Sequence, residues 1–413
     1  MSSLRAEIIA IGSELLTPER MDSNSLYLTE KLNSIGIDLN AKFVVGDDEE
    51  SLEQVLRDSL QRVGLVIATG GLGPTEDDIS RKVFARVFQK PLVLDEEILR
   101  QLEERFRSRG LTMTSNNARQ ALVPSGARVL DNNQGTAPGL WIESDGKHAI
   151  MLPGPPHEMK AMFESQCLAR LAEMSKGVRI QKRVFKLTGL TESACDARIA
   201  PIYTRYRNPV TTILASPGEI EIHLKATSPT EEEAEALLNE LGDKIEMELG
   251  DHIFSRRGES LEQIVGMYLT MRQASVAVAE SCTGGLVSER LTRIPGSSAY
   301  FVSGVVCYSN TAKTELADVP PLLIEMNGAV SREVAIGLAE GIRKRTGTTF
   351  GIGVTGIAGP SGGSETKPVG LVHIAVSSET GVDDREVRFP GDRQRVRWWA
   401  SQLALDMLRR KLL

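Results

Sequence analysis

The stretch Val276-Ala-Val-Ala-Glu-Ser-Cys-Thr-Gly-Gly285 decides the fold of this chain. Its apolar start suits a buried strand, and the run stops abruptly at a hydroxyl-rich turn closed by two glycines. Leu286-Val-Ser-Glu-Arg-Leu-Thr-Arg-Ile294 follows at once with apolar residues at helical spacing. A strand that feeds a turn and then a helix is the unit of a mostly parallel α/β sheet. It leaves backbone N–H groups at the sheet edge, where such folds bind anions and polarise carbonyls. Ser281 and Thr283 stand at that edge.

The same alternation runs outward from this turn. From Ser255 onward, helices are expected at Leu261 to Arg272, Leu286 to Arg293, Pro320 to Leu323, Ser331 to Thr346 and Arg393 to Leu412. Strands are expected at Ser275 to Ala279, Phe301 to Cys307, Thr349 to Val354 and Gly370 to Val376. The first part of the chain repeats the pattern: strands at Ile8 to Ile11, Ala41 to Val45, Leu65 to Thr69 and Ala149 to Leu152, with helices from about Ser23, Glu50 and His157. From about Val178 the texture changes. Arg183 to Thr188 and Glu219 to Ala226 alternate apolar with polar residues around a short helix from Thr191, and Thr230 to Leu249 is a charged amphipathic helix. A length of 413 residues exceeds what one core supports. The expected organisation is therefore an α/β domain over residues 1–172, a small α+β domain over 173–254, and a second α/β domain over 255–413.

A net charge of -7 and a pI near 5.5 give no global basic field, so nucleic acid is not the expected partner. Cys167, Cys195, Cys282 and Cys307 lack metal-type or redox-type pair spacing, which predicts reduced thiols and a cytoplasmic protein. No apolar run approaches the roughly 20 residues that a bilayer demands, so no membrane span is expected.

Two constellations carry chemistry. In Thr69-Gly-Gly-Leu-Gly-Pro-Thr-Glu-Asp-Asp-Ile79, the glycines allow close backbone approach and the turn's N–H groups favour phosphate. Asp77 and Asp78 would repel a bare phosphate. A divalent cation bridging carboxylate and phosphate oxygens removes the conflict, whereas helix capping explains the same pair without a ligand. Ile11-Gly-Ser-Glu-Leu15, Asn133-Gln-Gly-Thr-Ala-Pro-Gly139 and Leu152-Pro-Gly-Pro-Pro-His-Glu158 are further turns placed to share one rim.

The second constellation joins the Ser281 turn to Ile294-Pro-Gly-Ser-Ser298, Val306-Cys-Tyr-Ser-Asn-Thr-Ala-Lys313 and Val354-Thr-Gly-Ile-Ala-Gly-Pro-Ser-Gly-Gly363. Strand ends in a parallel sheet lie side by side, so hydroxyls, amides and Lys313 are expected to converge on one ligand. Cys282 is the intrinsically better nucleophile, but the one histidine after residue 254, His373, sits mid-strand. Ser281 with Lys313 as base, and Tyr308 to relay or orient, is the other arrangement. Capping of the following helix by Ser281 and Thr283 is the bland alternative.

At these residues the chain resembles the CinA family of competence/damage-inducible proteins. Glu280-Ser-Cys-Thr-Gly-Gly285, Pro295-Gly-Ser-Ser298, Tyr308-Ser-Asn310 with Lys313, Gly328-Ala-Val-Ser331, Thr355-Gly-Ile-Ala-Gly-Pro360 and Lys367-Pro-Val-Gly370 occur in order and look like its C-terminal domain. The resemblance implies deamidation of nicotinamide mononucleotide to nicotinic acid mononucleotide and ammonia, with no cofactor. It implies Ser281, Lys313 and Tyr308 as catalytic residues, and Thr283, Gly284, Gly285, Ser297, Ser298, Asn310, Thr355 and Gly356 as substrate-binding ones. The first part is similar to the molybdopterin-binding fold of MoaB/MogA proteins. Within the family that domain is linked to metal-dependent ADP-ribose pyrophosphatase activity, implying nucleotide binding by Gly12, Glu14, Gly70, Gly71, Gly73, Thr75, Gly135 and Thr136, with Asp77 and Asp78 on the metal. Ser23 and Ser80 stand where the family pattern has threonine, which keeps the hydroxyl. The middle insert looks like the family's KH-type domain without an evident Gly-x-x-Gly loop, which implies a structural or dimer-forming role rather than RNA binding. The expected protein is a homodimeric, bifunctional hydrolase of pyridine-nucleotide salvage. A non-catalytic nucleotide-binding adaptor and a molybdopterin-binding protein are the alternatives.

Overall fold

The computed structural model describes residues 4–108, 110–175 and 177–413. Its first domain runs β1 (Arg5–Ile11), α1 (Ser23–Ser34), β2 (Asp38–Val45), α2 (Glu49–Arg62), β3 (Leu65–Thr69), α3 (Ser80–Val87), β4 (Leu92–Leu94), α4 (Glu96–Ser108), β5 (Leu122–Pro124), β6 (Arg128–Leu130), β7 (Gly139–Ser144), β8 (Lys147–Leu152), α5 (Pro156–Met162) and α6 (Leu168–Met174). The main sheet has the order β2-β1-β3-β8-β7-β6. Its first four strands are parallel, with Ala10 beside Thr69 and Thr69 beside Leu152, while β7 and β6 run antiparallel. Alternation along the strands divides the core between two faces. Ile9, Val66 and Met151 pack with Leu52, Leu56, Val83 and Phe84 of α2 and α3. Ile8, Ile67 and Ile150 pack with Leu28, Leu32, Met159 and Phe163.

The middle segment holds β9 (Arg179–Leu187), α7 (Glu192–Tyr203), β10 (Val210–Ser216), β11 (Glu219–Ser228), α8 (Glu231–Leu249) and β12 (Ile253–Ser255), with sheet order β10-β11-β9-β12. Thr191 caps α7 by accepting from Ala194 N–H, as its position at the start of the expected helix implies. Strand β10, Val210-Thr-Thr-Ile-Leu-Ala-Ser216, mixes apolar residues with Thr and Ser without a strict apolar–polar alternation, so the sequence did not mark it; it is fixed by antiparallel pairing with β11.

The last domain runs α9 (Leu261–Met271), β13 (Val276–Glu280), α10 (Leu286–Thr292), β14 (Phe301–Val306), α11 (Asn310–Ala317), α12 (Pro321–Asn327), α13 (Arg332–Thr346), β15 (Phe350–Gly356), β16 (Leu371–Ser378), β17 (Gly381–Arg388) and α14 (Arg393–Lys411). Sheet order is β14-β13-β15-β16-β17, with β14, β13 and β15 parallel and the other two antiparallel. Strand β17, Gly381-Val-Asp-Asp-Arg-Glu-Val-Arg388, is charged and mostly exposed, so its apolar pattern did not announce it. Val276 and Val278 face α9, α10 and α14, while Ala277 and Ala279 face α11 to α13. The small alanines let α13 approach closely, as do Gly351 and Gly353, whose added Cβ would sit 2.1 and 2.2 Å from helix carbonyls. Because β14, β13 and β15 are parallel neighbours, their carboxyl ends share one rim, and the Ser281 turn lies at its centre. Among the described residues, no helix is long and apolar enough to cross a membrane.

Candidate active site

The turn after β13 departs from its expected use. Gly284 and Gly285 take φ of 60° and 93°, left-handed values that a side chain would strain. Most of the amides freed by that turn are not open to a ligand. The Glu280 side chain, fully buried, folds back under the turn. Its Oε2 accepts from Gly285 N–H at 3.0 Å and Val287 N–H at 3.1 Å, and its Oε1 from Ser288 N–H at 2.9 Å and Ser288 Oγ–H at 2.7 Å. An internal carboxylate thus fills the anion-binding end of α10. Ser281 N–H donates to Val354 O at 2.9 Å and Gly284 N–H to Ser281 O at 3.1 Å. Among the described residues, the turn amides that reach no backbone carbonyl and no Glu280 oxygen are those of Cys282 and Thr283.

Ser281 is 8% exposed and Lys313 is 2% exposed. Ser309 caps α11 by accepting from Ala312 N–H, and this start sets Lys313 one turn in, facing the sheet. Lys313 Nζ lies 3.4 Å from Ser281 Oγ and donates to Cys307 O at 3.0 Å and Tyr308 O at 3.4 Å. Among the described residues it forms no ion pair. Burial without a compensating carboxylate disfavours the ammonium, so its pKa falls below the ordinary lysine value. Cys282 is also buried, and desolvation pushes its thiol up to about 12. That cysteine is a thiol, not a thiolate, near neutrality, and its sulfur packs toward Gly356, where an added Cβ would lie 3.0 Å from it. Of the two candidates, Ser281 is the one whose side chain Lys313 reaches.

The other residues of this constellation divide. The Tyr308 hydroxyl is at the surface and accepts from Arg393 Nη2 at 2.8 Å, so its carbonyl, rather than its phenol, touches Lys313. Asn310 is exposed at the start of α11, on the same rim. Thr355 Oγ1 is buried and donates to Ala329 O at 2.7 Å, tying the end of β15 to the segment before α13. Lys367 Nζ grips the same segment through Asn327 O and Val330 O, both at 2.7 Å. The Thr283 hydroxyl is buried without a partner, while its carbonyl accepts from Arg397 Nε and Nη2 at 3.0 and 2.8 Å. Ser297 and Ser298 stand elsewhere. They precede β14 rather than follow it, which sets them at the opposite edge of the sheet, about 20 Å away at ~3.3 Å per strand residue. Within one chain they do not meet Ser281.

In the first domain, Gly12, Glu14, Asp47, Gly70, Gly71, Gly73, Asp77, Asp78, Gln120, Thr136, Gly154 and Glu158 line one cleft of about 320 Å³. Several of its glycine amides are also satisfied internally. Gly12 N–H donates to Val45 O and Gly70 N–H to Leu152 O, both at 3.0 Å, and Gly135 N–H to Asn132 Oδ1 at 2.7 Å. Asp78 accepts from Gly73 N–H at 2.7 Å, from Thr75 N–H at 2.8 Å, and from the Thr75 hydroxyl. Arg81, buried and pushed down to about 10 by desolvation, donates to Leu72 O and Gly73 O, each at 2.6 Å. The Ser80 hydroxyl donates to Gly70 O at 2.8 Å. Asp78 therefore shapes the loop, while Asp77 is exposed at its rim. Among the described residues, no three His, Cys, Asp or Glu side chains are grouped to hold a metal ion. Hard carboxylate oxygens from Glu14, Asp47, Asp77 and Glu158 on one cleft still suit a cation bound through one or two carboxylates and the ligand's own phosphate oxygens, as Mg²⁺ usually is.

Three family models match the chain end to end. They are the CinA C-terminal domain over residues 258–412, the Damage-inducible protein CinA KH domain over 182–255, and the Probable molybdopterin binding domain over 7–173. A CinA-like protein of Koribacter versatilis is 54% identical over 412 residues, 99% of this chain and 100% of its own length. The chain belongs to the CinA family. Another CinA-like protein, of Acidobacterium capsulatum, is 52% identical over 412 residues, with 99% of this chain and 100% of its own length covered. The crystal structure of a competence/damage inducible protein from Agrobacterium tumefaciens is 42% identical and covers 36% of this chain and 91% of its own, with a TM-score of 0.35.

This CinA-family chain also uses residues that its sequence did not single out. Glu280 sat in plain view inside the motif, but nothing local says that it turns back on α10. Arg393 and Arg397, four residues apart at the start of α14, reach Tyr308 and Thr283 across more than 80 positions of sequence. Asp47 and Gln120 join the first cleft from loops distant in sequence. His157 is mostly exposed, 3.9 Å from Glu158, and His373 is buried mid-strand on β16, as its position implied.

Proposed function

We propose that the last domain hydrolyses the carboxamide of nicotinamide mononucleotide, with Ser281 as nucleophile and Lys313 as general base. The observation that carries this reading is the 3.4 Å approach of a buried lysine with lowered pKa and no acidic partner to a buried serine hydroxyl. Neutral Lys313 takes the proton from Ser281 Oγ as that oxygen bonds to the carboxamide carbon. The carbonyl oxygen becomes an oxyanion, and the N–H groups of Cys282 and Thr283 are the donors left to receive it. The C–N bond breaks, the Lys313 proton goes to the departing nitrogen, and ammonia leaves an acyl ester on Ser281. Water, deprotonated by Lys313, cleaves that ester to the carboxylate product and restores the hydroxyl. Ammonia release by the full-length chain tests this directly. Wild type is expected to turn over and Ser281→Ala to lose activity; equal rates in the two would refute the assignment.

In the first domain the proposed reaction is hydrolysis of the pyrophosphate of ADP-ribose. A divalent cation held by Asp77 with Glu14, Asp47 or Glu158 would supply charge neutralisation of the pyrophosphate oxygens. Asp78, Arg81 and Ser80 fix the loop that carries Asp77. The acidic lining of a glycine-walled cleft supports this reading, and release of AMP and ribose 5-phosphate with Mg²⁺ or Mn²⁺ against EDTA tests it. We also propose that the chain acts in the cytoplasm as a homodimer; sedimentation of the purified protein checks the dimer, and cell fractionation checks the location.

A further inference from the structure

Glu280 closes β13 one residue before the proposed nucleophile; its side chain braces the turn that carries Ser281, and its carbonyl braces the strand end next to Lys313. The side chain binds three backbone amides and the Ser288 hydroxyl, at 2.7 to 3.1 Å, which fixes the turn from Ser281 to Gly285 against the first turn of α10. The Glu280 carbonyl accepts from Cys307 N–H at 2.7 Å, and the Cys307 carbonyl in turn accepts from Lys313 Nζ at 3.0 Å. One residue therefore sets the serine turn directly and the lysine's acceptor through a single intervening residue. Charge-assisted bonds to amides are the strong kind, and a fully buried carboxylate with four donors has no alternative position. A plain helix cap would be served by a serine or aspartate beside the first turn; a glutamate reaching back from the strand end is needed only if strand, turn and helix must be locked together.

We propose that Glu280 is a positioning residue of the Ser281 site, holding Ser281 Oγ and Lys313 Nζ in register without touching substrate. The proposal rests on the amide-hydrolase reading and assigns a role within it. Its test uses the full-length protein with Glu280→Gln and Ser288→Ala as the main variants, Glu280→Ala for rescue and Ser281→Ala as the control. Glu280→Gln keeps the shape but sets an amide NH₂ against N–H donors. Ser288→Ala removes the single donor that is not backbone and leaves the carboxylate in place.

Four quantities are read: kcat and KM for nicotinamide mononucleotide, the rate at which a fluorophosphonate labels Ser281, and the melting temperature, which shows whether each variant folds. Labelling forms the Oγ–P bond, expels fluoride and leaves the proton on Lys313, so it reports the serine whatever the natural substrate. Glu280→Gln is expected to lower kcat about tenfold or more and to slow labelling in the same proportion, with KM within about twofold, the pattern of a lost geometric effect on the reacting group rather than on binding. Ser288→Ala is expected to lower both rates severalfold. Formate is expected to restore part of the activity of Glu280→Ala, saturably, and none of that of Ser281→Ala.

Wild-type kcat and labelling in a folded Glu280→Gln overturn the proposal. If that variant does not fold, wild-type rates in Ser288→Ala overturn it. If wild type labels at Ser281 but leaves the mononucleotide intact, the substrate reading fails and the labelling rates still decide on Glu280. If wild type neither hydrolyses nor labels, both fall.

Discussion

Replacing Lys313 by methionine tests the proposed base through two independent quantities. Methionine keeps an unbranched stem of similar volume and has no amine. If Lys313 takes the Ser281 proton, the rate of amide hydrolysis falls by roughly 10²- to 10⁴-fold. Ser281→Ala falls comparably, and the double variant falls no further, because groups that act as one unit are not additive. The second quantity is stability against pH. Burial lowers the pKa of Lys313 in the folded chain from its ordinary 10.5, which the unfolded chain retains. Below the folded value both states are protonated, and the cost of burying the ammonium is present in full. Between the two values the unfolded state holds a proton that the folded state lacks, so wild-type stability rises with pH across that window and the cost vanishes above 10.5. Each tenfold by which burial favours the neutral amine is worth about 1.4 kcal/mol. In a domain of this size, 1 kcal/mol moves the melting temperature by about 2–4 °C. Losing the bonds to Cys307 O and Tyr308 O adds an offset, but other titrations are common to both proteins and cancel in the difference. Calorimetry from neutrality upward is therefore expected to show wild type gaining on Lys313→Met as pH rises toward 10.5, while kcat/KM of wild type rises with a midpoint below that value. A difference in melting temperature that stays flat or shrinks with pH, or a variant that keeps most of its activity, refutes the reasoning.

Three further outcomes follow from the same geometry. Cys282→Ala is expected to keep kcat within a few-fold of wild type, since a buried thiol pushed up to about 12 supplies no thiolate; loss of turnover on that change would return the nucleophile to Cys282. Asp78→Asn is expected to destabilise the first domain by about 2–3 kcal/mol, because the loop donors that its carboxylate satisfies lose a charged acceptor, whereas Asp77→Asn is expected to leave stability unchanged and weaken Mn²⁺ binding in titration calorimetry. The reverse ranking would move the cation to Asp78. Arg290→Met removes the buried guanidinium that binds Glu262 at 2.8 Å, Gln402 at 2.7 Å and Ser401 at 3.0 Å. Leaving Glu262 buried and unpaired is expected to cost about 3–5 kcal/mol in urea unfolding, and a loss of under about 1 kcal/mol would mean that water reaches Glu262.

Periodicity placed the strands that are buried on both faces. Leu65–Thr69 came out with its observed bounds, and the Ser281 turn came out at the sheet rim, because a continuous apolar run ending in glycine admits few other structures. Strands β10 and β17 escaped because the first lacks a strict apolar–polar alternation and the second is charged, and pairing with β11 and β16 makes them strands. The pairing of Ser281 with Lys313 was legible as soon as their strands were taken as parallel neighbours. The reach of Arg393 and Arg397 to the same rim was not, since α14 carries several arginines and no local signal says which of them turn inward. Ser297 and Ser298 were misplaced for a reason of direction. Their glycine turn looks like the others, but it enters β14 instead of leaving it, and in a parallel sheet that difference is the full length of a strand.

The two α/β domains err from the sequence reading in the same way, and the shared error has one physical cause. A glycine turn that frees backbone amides at a strand end cannot leave them bare in a partly buried place, since each unsatisfied N–H costs about 1–3 kcal/mol. The protein must fold whether or not a ligand is present, so an internal acceptor is supplied. Glu280 serves in the last domain, and Asp78 and Asn132 serve in the first. Once those acceptors are in place, the glycines explain the sharpness of the turns, and fewer of the amides are left for a phosphate. On the proposed reading, recognition then falls to a few groups at the strand ends: the Cys282 and Thr283 amides, the Ser281 hydroxyl and the Lys313 amine at one rim, and the outer carboxylates at the other. A motif read as a phosphate cradle is then better read as a scaffold that sets a few side chains at a strand end. The acid within or beside the glycines, often dismissed as a cap or assigned to a metal, is the part of the motif that holds the scaffold still.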